Sequence, residues 1–205
     1  GHYWKGQRLG TEFRSTVEQF RQRDRWSLDR MSVYVEQRLR EVLRQAYEAP
    51  YYKETWSAAG ITEAMLKEIT PTTLSRLPIL PKEHVRQRPE AFVPAIACHQ
   101  GQLKSYQTSG SSGTPIRAIC TSAVHQRFIA AREVRSFGWA GTSIMRPRAM
   151  IGGRMVVPRG IAKPPFYRYN AAEKQVYFSA YHIAPAHVGD YVDGFNRYRP
   201  EVVTG

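Results

Sequence analysis

Apolar side chains recur at steps of three, four and one between residues 27 and 48, and this spacing predicts an amphipathic helix. The members of this apolar stripe are Leu28, Met31, Val35, Leu39, Val42, Leu43 and Ala46. Ser27 is the expected N-cap, because its hydroxyl can accept a backbone N–H of the first turn. Pro50 is the expected stop, and the helical pattern extends back to residue 12. We expect the apolar stripe to pack into the core.

Shorter helices are predicted further along the chain. Thr62 can cap a helix that runs to Ile69, and Pro71 follows it as a stop. A second short helix is expected at residues 83–87, after a proline-bounded extended segment. A third is predicted at residues 124–137, where apolar side chains line one side and arginines line the other.

The second half of the chain alternates between predicted strands and helices. Apolar runs predict strands at residues 150–154, 175–181 and 202–203, and residues 163–169 are expected to be extended. A helix is predicted at residues 185–198, between the last two strands. This strand–helix–strand order favours a parallel sheet, because the chain must cross over to return in the same direction.

These elements predict an α/β protein with two parts. Residues 1–95 form a helical N-terminal region, and residues 96–205 form an α/β subdomain whose sheet is mostly parallel and flanked by helices. We expect this sheet to be incomplete, because the run at Val202 and Val203 predicts a strand immediately before the last residue given.

The chain is strongly basic, with 30 Lys and Arg against 17 Asp and Glu and a formal net charge of +13. Such a balance suggests a polyanionic partner. However, no block of consecutive Lys or Arg occurs, and acidic residues interleave with the basic ones in the first part of the chain. This distribution favours a solvated surface over a nucleic-acid groove.

Two further features bear on where the protein resides. No apolar run approaches the ~18 residues of a membrane-spanning helix. Cys98 and Cys120 fit neither a disulfide framework nor a zinc-ligand spacing, and they are typical of reduced thiols. We therefore expect a cytoplasmic protein.

A loop of small residues lies between two β-propense runs, residues 103–106 and 116–120. The loop contains Thr108, Ser109, Gly110, Ser111, Ser112, Gly113 and Thr114. Glycine lets backbone N–H groups approach an anion, and the hydroxyls add hydrogen-bond donors. We interpret the loop as phosphate-binding, the alternative being a flexible Ser/Gly connector. It is neither a Walker A loop nor a dinucleotide fingerprint, because it lacks both Gly-Lys-Ser/Thr and Gly-x-Gly.

The string Thr108-Ser-Gly-Ser-Ser-Gly-Thr-Pro115 closely resembles the signature loop of the adenylate-forming enzymes. This superfamily contains acyl-coenzyme A synthetases, peptide-synthetase adenylation domains and luciferase. In the family the loop holds the β- and γ-phosphates of ATP, and a Lys usually follows the Pro. Here Ile116 stands at the Lys position, and Arg117 is the candidate for the phosphate cation. The phenylacetate–coenzyme A ligase branch often lacks that Lys, as this sequence does.

The order of the other segments is also similar to the phenylacetate–coenzyme A ligase family. A long helix precedes the Pro50-Tyr-Tyr turn, then Ala59-Gly-Ile, and then a Leu-Pro segment that leads to Lys82. Within the family, the similarity is greatest to the CapK-like branch linked to capsular polysaccharide biosynthesis. The segments that indicate this branch are Gly152-Gly-Arg154, Pro164-Pro-Phe166 and Ser179-Ala-Tyr-His182.

The resemblance implies a ligase that uses ATP and Mg²⁺ in two steps. A carboxylic acid attacks ATP to give an acyl-AMP and pyrophosphate, and a thiol, usually that of coenzyme A, then displaces AMP. Chains of the family are longer than this one, so we expect an N-terminal portion that works with a C-terminal part or with a second polypeptide. The family's catalytic Lys lies in that C-terminal part. We therefore assign no catalytic residue, and we expect the chain alone to be inactive.

The resemblance also assigns substrate-binding residues, namely Gly152, Gly153, Tyr181 and His182, to the acyl-substrate pocket. The alternative for His182 is a hydrogen-bonded structural histidine. His187 follows five residues later across a proline, so the two histidines lack a helical metal-ligand spacing, and no metal ligand is assigned. A serine hydrolase is disfavoured, because Gly-x-Ser-x-Gly is absent from the sequence.

A second function class remains open from the sequence. The chain could be a non-enzymatic basic module that binds nucleic acid or another polyanion through arginine-rich helices and interleaved Tyr and Phe side chains. Binding through many arginines would weaken steeply with salt, whereas binding in a nucleotide pocket would be less sensitive.

Overall fold

The structure, a computed structural model, describes residues 2–99, 103–108 and 115–205. The chain forms two compact units. The helical unit comprises Arg21–His125, and the sheet unit comprises Gly1–Phe20 together with Gln126–Gly205. The expected organisation into residues 1–95 and 96–205 stays a prediction about functional domains.

Helices make up most of the first half of the described chain. They are α1 (His2–Arg8), α2 (Thr11–Arg23), α3 (Leu28–Tyr47), α4 (Pro50–Ala58), α5 (Glu63–Lys67), α6 (Lys82–Gln87) and α7 (Ala95–His99), with short 3-10 turns at Leu74–Arg76 and Pro89–Phe92. Both predicted N-caps are confirmed. Ser27 Oγ accepts a hydrogen bond from the Arg30 backbone N–H, and Thr62 Oγ1 accepts one from Met65 N–H, each at 3.3 Å.

The long helix predicted over residues 12–48 is instead two helices, α2 and α3, separated at residues 24–27. The N-cap at Ser27 marks the restart, because its extended backbone and its hydroxyl bond initiate α3. Pro50 is not only a stop. It is the first residue of α4, a position where its missing N–H and fixed φ are tolerated.

The prediction that the whole apolar stripe is core packing is wrong. Leu43 is buried, whereas Leu28, Val35 and Val42 are exposed. The core of the helical unit is formed by Leu43, Trp56, Ile61, Leu66 and Ile69, with Leu39 and Ala46 packed against it. Only the C-terminal half of α3 therefore lies against α4 and α5.

The two runs beside the small-residue loop form an antiparallel pair, as β1 (Leu103–Gln107) and β2 (Arg117–Thr121). The last pair in the register is Gln107 with Arg117. Thr121 then accepts a hydrogen bond from Val124 N–H at 3.3 Å, and α8 (Ser122–Arg132) follows. The predicted helix at 124–137 thus begins slightly earlier, and it ends in a π-helical turn at Glu133–Gly138.

The sheet unit contains four strands in the order β4-β5-β3-β6. These strands are β3 (Arg148–Gly152), β4 (Tyr167–Asn170), β5 (Gln175–Ser179) and β6 (Val202–Thr204). Strand β3 is parallel to both β5 and β6, whereas β4 is antiparallel to β5. The sheet is therefore mixed and mostly parallel, and the predicted α/β class is confirmed.

Helix α9 (Val188–Tyr198) packs on one face of this sheet. The buried residues of that face are Ala149, Val176 and Phe178, with Tyr191 and Phe195 of α9 against them. Because side chains alternate along a strand, Tyr177 and Ser179 of β5 point to the opposite face. A separate core in the same unit joins the start of the chain to α8 and the π-helical turn, through Phe13, Val17, Ile129, Ala130, Val134, Phe137 and Ile144.

Gly194 is a point of close approach between α9 and the sheet, and it provides a test of this packing. A Cβ at this position would lie 2.7 Å from a Phe178 ring atom and 2.9 Å from two Tyr167 ring atoms. We expect Gly194→Val to lower the free energy of unfolding by about 1–3 kcal/mol, because the core cannot absorb the added volume. A Cβ at Gly189, in the same helix, would meet nothing within 4 Å, so Gly189→Val should change stability by less than about 0.5 kcal/mol. Urea unfolding of both variants checks this, and equal losses would contradict the packing described.

Candidate functional site

The four predicted substrate-binding residues come together at the carboxyl ends of β3 and β5. Gly152 ends β3 and is in register with Ser179, which ends β5. A short 3-10 turn at Ala180–His182 follows, and Tyr181 Oη donates a hydrogen bond to the carbonyl oxygen of Gly153 at 2.9 Å. This contact joins the segment after one strand to the segment after its parallel neighbour. Ligands of open α/β sheets bind at such carboxyl ends.

His182 is buried at this edge, with only 7% of its surface exposed. Its Nδ1 lies 2.7 Å from the Oγ of Ser179, a hydrogen-bond distance. Its Nε2 is buried and has no hydrogen-bond partner within the described part of the chain. A buried polar atom without a partner carries the full cost of its lost hydration. A polar group of a ligand at Nε2 would remove that cost.

An aromatic wall holds the His182 ring in place. Phe166 is fully buried, and its ring stacks on His182 with centroids 4.7 Å apart and planes at 12°. His187 packs against the same phenyl ring at 4.4 Å. The Nδ1–H of His187 donates to the carbonyl oxygen of His182 at 2.8 Å, because a carbonyl can only accept.

Helix α9 supports this wall through two polar contacts. The backbone N–H of Phe166 donates to Asp190 Oδ2 at 2.7 Å, and Tyr191 Oη donates to the Ser179 carbonyl oxygen at 2.5 Å. Burial, together with the negative charge of Asp190, raises the pKa of the Tyr191 phenol. Tyr191 consequently stays protonated and remains a donor to the end of β5.

The segment after β3 is a basic loop, defined here as residues 153–163. It carries Arg154, Arg159 and Lys163, and no Asp or Glu occurs anywhere between residues 134 and 172. Arg154 Cζ lies 5.0 Å from the centroid of the Tyr177 ring, and Arg159 Cζ lies 4.1 Å from that of Tyr181. Both guanidinium groups thus stack on tyrosines that belong to β5 or to the turn after it.

Only part of the predicted phosphate loop lies in the described region. Thr108 is described, whereas Ser109, Gly110, Ser111, Ser112, Gly113 and Thr114 lie outside the described residues. At the base of the loop, Thr108 N–H donates to the Ile116 carbonyl oxygen, and Ile116 N–H donates to Thr108 Oγ1, each at 3.0 Å. This pair closes the base between β1 and β2 and leaves the hydroxyl proton of Thr108 available for donation.

Arg117, the predicted phosphate cation, is the residue next to this base and forms an ion pair with Glu90. The Glu90 side chain is 68% exposed and that of Arg117 is 41% exposed. Exposed pairs of this kind contribute about 0–1 kcal/mol, so an anionic ligand can compete with Glu90 for Arg117. Cys120, further along β2, is half-buried, and burial raises the pKa of its thiol, with Lys104 opposing the effect. This thiol is therefore not activated as a nucleophile.

The chain is similar to protein CapK of Staphylococcus aureus, with 27% identity over 139 residues. The aligned part makes up 68% of this chain but only 30% of CapK. The chain therefore spans less than a third of the length of this curated relative. A search against models of protein families found no match. The similarity supports the predicted CapK-like relationship, whereas membership of the adenylate-forming superfamily stays a prediction.

Three supporting residues of this edge were not assigned from the sequence: Phe166, Ser179 and His187. A signal was present for Ser179, because it lies three residues before His182 and a single helical turn brings such residues together. No comparable signal exists for Phe166. Its position depends on how β4 pairs with β5, and Ser179 N–H donates to the Phe166 carbonyl oxygen at 2.9 Å.

Two kinds of feature are absent from the described residues. No group of three or more His, Cys, Asp and Glu side chains is arranged to hold a metal ion in that part of the chain. None of the helices described is both long enough and apolar enough to cross a membrane. Neither result bears on an ion that is brought to the site by a nucleotide.

Proposed function

We propose that the chain is the N-terminal portion of an ATP-dependent adenylate-forming ligase of the phenylacetate–coenzyme A ligase type. It activates a carboxylic acid as an acyl-AMP for transfer to coenzyme A or another acceptor. The observation that carries the proposal is the buried, unpartnered Nε2 of His182 at the carboxyl ends of β3 and β5. A buried polar atom at such an edge supports a small-molecule site, and the sequence of the loop at 108–114 supports ATP as the second substrate.

Residues of each unit have a separate role in this proposal. The loop at 108–114 binds the phosphates of ATP. Arg117 releases its ion pair with Glu90 and binds a phosphate oxygen instead. Gly153 and Tyr181 shape the edge of the acid pocket, and His182 Nε2 contacts the acid. Mg²⁺ is held chiefly by the phosphates and water, as is usual for nucleotide-bound magnesium. Positioning and positive charge are what phosphoryl-type chemistry requires from a protein.

The proposed reaction also requires a catalytic lysine and a surface that binds the acceptor, and neither is assigned to residues of this chain. A further C-terminal part, or a second polypeptide, supplies the lysine that completes adenylation and the surface that receives the acceptor. The chain alone binds ligands but does not turn over. The similarity to CapK supports a place in capsular polysaccharide biosynthesis. The location that we propose is the cytoplasm.

The competing function is that of a basic module for single-stranded nucleic acid or another polyanion. The observation in its favour is the stretch between residues 134 and 172, which holds six arginines and one lysine and no acidic residue. Arginines stacked on tyrosines, as at Tyr177 and Tyr181, can also bind bases and phosphates. Its binding would depend steeply on salt.

Thermal unfolding with ATP–Mg²⁺, AMP or a single-stranded oligonucleotide, each at low and moderate salt, separates the two functions. We expect ATP–Mg²⁺ to stabilise the chain by about 2.7 kcal/mol once its free concentration reaches 100 times Kd. Gly113→Val should abolish this stabilisation, because a branched side chain keeps phosphate away from the backbone N–H groups of the loop. Gly189→Val, on an open face of α9, is the matched control and should retain it.

The opposite pattern would overturn the proposal. It consists of no stabilisation by ATP–Mg²⁺ together with strong stabilisation by the oligonucleotide that disappears as salt is raised. Such a result would establish the polyanion-binding module instead.

A further inference from the structure

Two of the three cations in the basic loop at residues 153–163, Arg154 and Arg159, have a fixed geometry. Tyr181 Oη fixes the start of the loop by its bond to Gly153, and the same Tyr181 ring carries the guanidinium of Arg159 at 4.1 Å. Arg154 lies on Tyr177, two residues before the end of β5. Both arginines are therefore held beside the edge that contains His182.

These two guanidinium groups remain available to bind an anion. Neither Arg154 nor Arg159 forms an ion pair with a carboxylate in the described residues, and both are exposed. By contrast, Arg146 and Arg148, in the same acid-free stretch, pair with Glu201 and Glu173. A cation–π contact uses the face of the guanidinium and leaves its N–H edge free for a forked interaction with a carboxylate or phosphate.

The reacting carboxylate of the acid is not the group that these arginines hold. In the proposed reaction that carboxylate must reach the α-phosphorus of ATP, and clamping between two guanidinium groups would lower its nucleophilicity. The phosphates of ATP are assigned to the loop at 108–114. A second anionic group on the acid therefore fits Arg154 and Arg159, while a polar atom of the same molecule contacts Nε2 of His182.

We infer that Arg154 and Arg159 form a subsite for a second carboxylate, and that the acid activated is a dicarboxylate. This inference rests on the proposed function, which identifies a carboxylic acid as the substrate. The inference goes beyond the proposed function because it specifies the charge of the acid and the two residues that select it.

The test measures binding of dicarboxylates to the 205-residue chain by NMR chemical-shift titration at constant ionic strength. The probes are malonate, succinate, glutarate and adipate, with butyrate as the monocarboxylate and inorganic phosphate as the second anion. At least one dicarboxylate should bind roughly tenfold more tightly than butyrate, since each fixed charge-assisted contact contributes on this scale. The double variant Arg154→Gln/Arg159→Gln should lose this preference.

Arg197→Gln is the matched control. Arg197 is also an exposed arginine over a tyrosine, with its Cζ 5.5 Å from the Tyr198 ring, but it lies in the last turn of α9. It should leave dicarboxylate binding unchanged. The control removes one positive charge and the double variant removes two, so a loss in the control of half that in the double variant, or more, would show that only the overall charge matters, and it would overturn the inference.

Two other results would also overturn it: equal binding of butyrate and all dicarboxylates, or binding of phosphate without binding of any dicarboxylate. The proposed function is tested separately in the same samples. Stabilisation by ATP–Mg²⁺ should persist in the double variant, so failure of the dicarboxylate subsite is distinguishable from failure of nucleotide binding.

Discussion

Glu173→Gln should lower the free energy of unfolding of the sheet unit by about 3–5 kcal/mol, because it breaks a buried ion pair. Arg148, at the start of β3, and Glu173, in the turn before β5, have side chains only 3% and 1% exposed. Arg148 Nη2 donates to Glu173 Oε2 at 2.6 Å and to Gln175 Oε1 at 2.8 Å. Burial lowers the pKa of Arg148, and the charge of Glu173 opposes that shift. Without that charge, the cation is buried and uncompensated.

The double variant Arg148→Met/Glu173→Leu distinguishes a cost of unpaired charge from a cost of altered shape. The double variant should regain most of the free energy of unfolding that Glu173→Gln loses, because apolar replacement of both partners of a buried pair is often close to neutral. Arg8, which also pairs with Glu173, is partly exposed and can be hydrated in that variant. The measurement is urea unfolding followed by circular dichroism.

An exposed pair in the same unit supplies the control. Arg146 and Glu201 have side chains 60% and 44% exposed, and Glu201→Gln should change stability by less than about 1 kcal/mol. Similar losses for Glu173→Gln and Glu201→Gln would contradict the buried network. This network matters to the candidate site, because it fixes the amino ends of the two strands whose carboxyl ends carry Gly152 and Ser179.

Helix starts could be predicted from single residues, because a cap is a local interaction. Ser27 and Thr62 each accept a backbone N–H three residues ahead, as their positions before apolar runs predicted. The burial of the α3 stripe could not be predicted in the same way. Periodicity determines which side chains share a face, but what covers that face depends on where α4 and α5 lie.

The direction of the strands could be predicted from the sequence only in part. The helix before Val202 predicted a parallel strand, and β6 is parallel to β3. The antiparallel direction of β4 was not predicted, although a signal was present. Only residues 171–174 connect β4 to β5, too few for the crossover that a parallel pair requires. Lys174, in the left-handed region at φ 49°, completes that tight turn.

The sequence could predict which residues of the candidate site lie together, whereas their role in substrate binding stays a prediction. Gly152, Gly153, Tyr181 and His182 were assigned by resemblance, and the structure places all four at one edge. The stacking of Arg154 on Tyr177 and of Arg159 on Tyr181 depends on the course of the loop between β3 and β4. No local pattern in the sequence encodes that course, so these contacts could not be predicted from the sequence.

Phe166→Ala should cost about 3–5 kcal/mol of unfolding free energy, because it removes a fully buried ring and leaves a cavity behind His182. The ring contacts both His182 and His187, and the backbone of Phe166 bonds to Asp190 and Ser179. Phe128→Ala, at a side chain 60% exposed on α8, removes the same atoms without a cavity and should cost less than about 0.5 kcal/mol.

A conservative variant keeps this prediction informative if Phe166→Ala does not fold. Phe166→Leu preserves an apolar side chain of similar volume, so it should fold at a cost of less than about 1.5 kcal/mol. It removes the aromatic face on which His182 stacks, and the imidazole NMR signals of His182 and His187 should therefore shift while those of His84 stay in place. His84 is the suitable reference, because it bonds to Tyr51 at 2.7 Å in the helical unit. Unchanged signals for all three histidines would mean that Phe166 does not form the wall of this site.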